Sequence, residues 1–349
     1  MRKTNMELSS LLPYMSNRWD TRARKMAYSA TGLDSHREWK TRLIQELKLI
    51  TGFDTMLKCS MRPRVTNVDT FDKYTRQHVI IDTEPGISMP FFVLIPSIGT
   101  PPFPVVLAPH GHGSGGKLSP AGCTENPEIA EAVQKYNYNY AEKFAQEGFI
   151  TLCPDARGFG ERREPGIGLL DSSCESINKM AIPLGQTITG MWTWDIMRLI
   201  DYTETRSDCD INRLACAGLS GGGLQTLWTT AFDLRIKCAI VSGYFYGYKE
   251  SLLFLHNNCW CNYVPNLYET ADMGDLGALI APRALMIETG DSDSLNGNSG
   301  LTNVISQVNI TKKAYYLTEA EDRLKHVIFE GEHRWDGTHA ISWLKQWLA

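Results

Sequence analysis

Nowhere in these 349 residues does an apolar run approach the length of about 18 needed to cross a bilayer as a helix, so no membrane partner is expected. A long basic block is missing as well: 35 Lys and Arg stand against 39 Asp and Glu, a formal net charge of −4. That balance carries no electrostatic signature for nucleic acid or another polyanion. The first residues start positively but show no sustained apolar stretch before Asn17, Arg18 and Trp19, so no secretory leader is expected. The nine cysteines are scattered from Cys59 to Cys261, and no two pairs have ordinary zinc-site spacing. Cys259-Trp260-Cys261 has a gap of one residue, and no second pair follows it. These thiols read as small buried hydrophobes in a reducing compartment, which makes the cytoplasm the expected location. No metal, redox centre or organic cofactor is expected.

What is present is ordinary globular material, 43% apolar and 21% charged, in a chain long enough for one large α/β domain with additions. Residues 38–49 carry apolar side chains at helical spacing and predict an amphipathic helix that must cover something. Residues 1–70 are therefore expected to form a helical segment packed on the core, with Pro63 near its exit, and 71–349 the main domain. Strand-like runs fall at 78–84, 89–96, 105–109, 149–153, 214–217, 237–241, 284–287 and 326–329. Helical patterns separate them at 138–147, 187–202, after Ser220, at 301–324 with Asn309 and Thr311 as candidate interruptions, and at 340–348. That alternation predicts βαβ units and a mostly parallel sheet. Residues 243–272 break the rhythm: they are irregular and aromatic-rich, either an insertion shaping a pocket or a buried connection.

Chemistry concentrates where the strand-like runs end. Gly218-Leu219-Ser220-Gly221-Gly222 closes an apolar run and opens a helix, the setting of a serine on a sharp turn whose neighbours must be small. The Gly221 N–H and the helix N-terminus then favour developing negative charge beside Ser220. His110-Gly111-His112-Gly113 follows the 105–109 run; it lacks a P-loop register, and its backbone suits an oxyanion site with His112 N–H as donor. The alternatives for His110 and His112 are substrate contact or local hydrogen bonds with Ser114. Arg157 is a candidate for an anionic substrate group, although Asp155 and Glu161 in its loop offer internal ion pairs. Trp260 and Trp335 are further candidates for substrate contact or support. A late Gly290-Asp291-Ser292-Asp293 offers two acids, with Asp293 preferred over Asp291. For the base, His333 in a short loop is preferred over His339 at the entrance to the last helix.

Ser220, Asp293 and His333 appear in the order of an α/β-hydrolase triad. With the His110-Gly111-His112 loop and the Gly218–Gly222 elbow, residues 75–349 resemble the α/β-hydrolase superfamily, in particular its acetyl xylan esterase and dienelactone hydrolase-like serine hydrolases. The resemblance implies an α/β-hydrolase fold, with a mostly parallel central sheet and helices on both faces. It also implies hydrolysis of a small-molecule ester, such as an acetylated carbohydrate, through an acyl-enzyme. Serine amidase or peptidase chemistry, and a binding protein on the same fold, stay open as alternatives.

Overall fold

The computed structural model describes residues 11–255 and 258–349. Residues 1–10 of the expected N-terminal segment and 256–257 of the aromatic stretch lie outside these. Two helices open the described chain, α1 (Leu11–Arg22) and α2 (Leu33–Thr51). On α2 the buried residues are His36, Trp39, Leu43, Leu47 and Thr51, one face at spacings of three and four. Gly52 ends the helix in a left-handed conformation at φ 69°, its N–H returning to the Leu49 carbonyl. Residues 64–70 then depart from the helical expectation: β1 (Arg64–Thr70) is an edge strand on β2 (Tyr74–Glu84). Six of its seven residues are exposed, so its side chains face no core and show no period-two apolar pattern.

The chain continues through β3 (Ile87–Pro96), β4 (Phe103–Leu107), α3 (Pro127–Tyr136), α4 (Tyr140–Gln146) and β5 (Ile150–Pro154). Next come α5 (Cys174–Ala181), α6 (Ile188–Thr203), β6 (Cys209–Leu219), α7 (Gly221–Phe232) and β7 (Cys238–Ser242). It closes with α8 (Leu267–Thr270), α9 (Met273–Ala278), β8 (Ala284–Gly290), α10 (Leu301–Leu317), β9 (Leu324–Phe329) and α11 (Ala340–Trp347). The spatial order of the nine-stranded sheet is β1-β2-β3-β5-β4-β6-β7-β8-β9. From β5 to β9 the pairings are parallel; β1, β2 and β3 add an antiparallel edge.

The central strands β4, β7 and, from Leu214 onward, β6 are almost wholly apolar because both sheet faces are covered. Successive side chains still divide between the two. Leu214, Cys216, Val105 and Leu107 pack with Ile196, Leu199 and Ile200 of α6. Ala215, Ala217, Val106 and Ala108 pack with Phe144 of α4 and Leu344 of α11. α10 runs unbroken through Asn309 and Thr311: Asn309 faces solvent, and the Thr311 hydroxyl donates to the Gly274 carbonyl at 3.0 Å. No helix among the described residues is long and apolar enough to cross a membrane.

Two features of this layout position the site. The strand order reverses at β4, which lies between β5 and β6, so the chain leaves in opposite directions at the C-terminal ends of β4 and β6 and opens a crevice there. The N-terminal segment docks on the late part of the 243–272 stretch. Lys25 N–H donates to the Glu269 carbonyl at 2.8 Å and Met26 N–H to Thr270 at 3.0 Å, while Arg24 forms a bidentate pair with Asp275 at 2.9 Å.

Candidate active site

β6 feeds directly into α7, and only small residues allow so abrupt a junction. A Cβ on Gly222 would overlap the Pro109 carbonyl oxygen, and one on Gly218 would stand 2.6 Å from the Gly222 carbonyl carbon. Between them Ser220 is forced to φ 59°, ψ −119°, a conformation a non-glycine residue holds only under the constraint of its surroundings. Those constraints are visible: its N–H donates to the Ser242 carbonyl at 2.8 Å, and its own carbonyl accepts from Leu224 N–H at 2.9 Å. Ser220 therefore stands at the N-terminus of a 12-residue helix, where the backbone dipoles favour negative charge.

The loop after β4 lies against this junction. Tyr140 donates to the Pro109 carbonyl at 2.6 Å, Gln225 to the His110 carbonyl at 2.9 Å, and Ser114 to the Gly111 carbonyl at 2.8 Å. Tyr138 accepts from Gly111 N–H and donates to the His112 carbonyl, both at 3.0 Å. Among the described residues, the N–H groups of His112 and Gly221 carry no hydrogen bond. The carbonyls of the loop from Pro109 to His112 are thus tied down, and these two N–H groups are among its open donors. Tyr138 and Gln225 escaped the sequence reading, since each lies in a helical pattern where a polar side chain signals nothing special.

His110 is a brace for the same loop. Burial lowers its pKa to about 4, so the ring is neutral near pH 7. Its Nε2 accepts from Ala156 N–H at 3.1 Å, which places the proton on Nδ1, facing the Gly111 carbonyl at 2.9 Å and the Ser114 hydroxyl at 3.1 Å.

The loops after β8 and β9 are joined by Asp291 N–H to Phe329 and Ser292 N–H to Gly331, both at 3.0 Å. This brings Asp293 Oδ2 to 2.6 Å from His333 Nδ1. Asp291 points elsewhere, accepting from Gly331 N–H at 3.0 Å and the Ser292 hydroxyl at 2.9 Å. His339 caps α11 with its backbone. His333 lies over Gly243, where an added Cβ would stand 2.9 Å from its Cε1. The preceding residue is Ser242, the one that holds Ser220 N–H, so His333 and Ser220 share one supporting segment. Beneath it, Glu288 is fully buried, accepts from Gly337 N–H at 3.1 Å, and is pushed up to about 7 by burial.

The remaining candidates take up supporting positions. Arg157 pairs with Glu84 at 2.7 Å and Asp195 at 2.9 Å, and Arg162 joins Asp195 at 2.7 Å. The acids of its own loop, expected to hold it, instead bind Lys117: Asp155 at 2.6 Å, and Glu161 as a second partner. Lys117 is buried, and its charge needs both. Trp335 is 2% exposed and stacks on Tyr140, deep in the core; Trp260 is 38% exposed at the rim of the aromatic stretch. The ring of His112, unlike its backbone, turns to a group not expected from the sequence. Its donor atom and the thiols of Cys174, Cys259 and Cys261 all lie within 4.8 Å of one another.

A parallel sheet with an antiparallel edge, a strained serine between β6 and α7, and an acid and a histidine after the last two strands define the α/β-hydrolase fold. No family model matches the chain. It is similar to YtaP of Bacillus subtilis (strain 168), a candidate hydrolase, with 26% identity over 279 residues, covering 77% of this chain and 87% of that protein. Among solved structures it is similar to BF1801 of Bacteroides fragilis, a candidate acetyl xylan esterase. There the TM-score is 0.81 at 16% identity, over 99% of this chain and 96% of the other. A glucuronoyl esterase from Solibacter usitatus superposes with a TM-score of 0.68 at 16% identity, over 93% and 96%. At such identities the solved structures establish a shared fold.

Proposed function

We propose that this chain is a serine carboxylic-ester hydrolase whose substrate is an esterified carbohydrate, with Ser220 as nucleophile, His333 as base and Asp293 as the acid that orients it. The observation that carries the reading is the Ser220 backbone. A serine held at φ 59° on a helix N-terminus, sharing a supporting segment with an Asp293–His333 pair at 2.6 Å, is an arrangement that costs stability and suits acyl transfer.

In this mechanism the His333 ring nitrogen remote from Asp293 takes the Ser220 proton as Oγ attacks the ester carbonyl carbon. The carbonyl π pair moves onto oxygen, and the N–H groups of Gly221 and His112 receive that oxyanion. Collapse breaks the bond to the alcohol oxygen, which leaves with the proton from His333. Water then adds to the acyl group with His333 again as base, and the acid departs as Ser220 regains its proton. Asp293 holds the imidazole tautomer and stabilises its charged form. Support for a carbohydrate ester comes from the names of the similar structures, an acetyl xylan esterase candidate and a glucuronoyl esterase.

The test is acetate release from acetylated mono- and oligosaccharides beside simple aryl acetates, with Ser220→Ala as blank. Turnover of the sugar esters that vanishes in the blank supports the whole reading. If only aryl acetates react, the serine chemistry stands and the carbohydrate substrate falls. If nothing exceeds the blank across a wider acyl panel, including amides, the enzyme reading falls too.

A further inference from the structure

The quartet His112, Cys174, Cys259 and Cys261 draws on three separate parts of the chain: the loop after β4, the first residue of α5, and a tight turn in the aromatic stretch. His112 Nε2 is 3.8 Å from Cys174 Sγ. A tetrahedral zinc ion, with Zn–S of about 2.3 Å and Zn–N of about 2.0 Å, spaces its donors about 3.5–3.8 Å apart. The four donor atoms, within 4.8 Å of one another, need to draw in by only about 1 Å at most to reach that spacing.

We propose that His112, Cys174, Cys259 and Cys261 bind a structural zinc ion that ties the aromatic stretch and α5 to the loop after β4. Three thiolates and an imidazole are a soft donor set suited to zinc, and four protein ligands complete its tetrahedron without leaving a position for substrate. A disulfide would satisfy two of the thiols and strand the third beside the ring, whereas all nine cysteines here are free. Cys174 and Cys261 are each 1% exposed, so two of the four donors are shut off from solvent.

The turn that presents two of the ligands is built independently of any ion. The Cys259 carbonyl accepts from Asn262 N–H at 3.0 Å and from its side-chain amide at 3.1 Å. The Trp260 carbonyl accepts from Asn178, one helical turn beyond Cys174 on α5, at 2.9 Å, and the Cys261 carbonyl from the Thr189 hydroxyl. With these carbonyls held, the chain alternates across the turn: Cys259 and Cys261 face the quartet, while Trp260 between them is partly exposed. This explains how a one-residue gap serves here in place of the usual two. The Asn262 amide also donates toward Cys261 Sγ at 3.7 Å, the kind of outer contact that supports a metal-bound thiolate. On the other side, the His112 ring is fixed edge-on against Phe159 at 5.0 Å, with Nδ1 3.2 Å from where a Cβ on Gly221 would stand.

The site does not depend on the esterase reading, because metal content is measured without a substrate. Protein produced with zinc in the medium and purified under reducing conditions without chelator is analysed by elemental mass spectrometry. Wild type and Cys59→Ala, whose thiol faces the Asp82 carbonyl, are expected to carry about one zinc per chain, and Cys174→Ser and Cys261→Ser to lose at least about ten-fold. Folded wild type without zinc, retention in both serine variants, or a mapped disulfide among these three cysteines overturns the proposal. If the serine variants do not fold, cobalt-loaded wild type decides the matter. Strong tetrahedral bands with thiolate charge transfer support the site, and a weak six-coordinate spectrum overturns it.

Discussion

Asp293 holds His333 at 2.6 Å, while Asp291, two residues closer to the strand, is occupied by Gly331 N–H and Ser292. The two acids should therefore separate cleanly in kinetics. Asp293→Asn is expected to lower kcat toward an aryl acetate by about 10²–10⁴-fold, and His333→Ala by at least as much, with Asp291→Asn within about two-fold of wild type. A large loss in Asp291→Asn with a small one in Asp293→Asn would reverse the assignment.

The sharp turn at Ser220 and the Asp293–His333 pair were legible because each has a local signature: glycines around Ser220, and polar residues just beyond apolar runs. β1 was not, since an exposed edge strand has no buried face to impose alternation. Nor was α3, although Asn126 accepts from Glu128 N–H as its cap and Pro127 follows as first residue, because only Ile129 and Ala132 of its ten residues are buried. The quartet was hidden for another reason. Its members are separated by 62 residues between His112 and Cys174 alone, and the packing of α5 against both the loop after β4 and the 260–262 turn brings them together.

Gly222 sets the closeness of β4 and α7. Gly222→Ala drives a methyl into the Pro109 carbonyl, a backbone atom that cannot rotate away. We expect a stability loss of about 3 kcal/mol in urea denaturation and a loss of activity exceeding what the unfolded fraction explains. An alanine tolerated without change in either would mean that the junction is looser than described.

Glu288 supplies a pH dependence of stability. Its folded pKa, about 7, lies above the ordinary value of 4.5, so the folded chain holds a proton that the unfolded chain releases between those values. Stability from this group is present below about pH 4.5 and declines as pH rises toward 7, by about 3 kcal/mol in all. Glu288→Gln is expected to flatten that part of the curve and to be the more stable protein at pH 8. Identical pH–stability curves for the two proteins between pH 4.5 and 8 would refute this.

Arg157 acts through Asp195 and Glu84. Removing it leaves Asp195, buried, with Arg162 alone, so Arg157→Ala should cost about 3 kcal/mol of stability. KM for an ester carrying a free carboxylate should follow that for a neutral ester. A selective rise of ten-fold or more for the charged ester would make Arg157 a substrate contact.

All 12 residues of α7 are buried, so the helix that bears Ser220 has no solvent face. Its amide hydrogens are expected to exchange with deuterium only when the domain opens widely, whereas those of the exposed edge strand β1 are expected to exchange far sooner. The strained serine is thus anchored to a slow-exchanging part of the molecule. On heating, the turn that carries Ser220 is expected to keep its protection against exchange until the sheet itself comes apart.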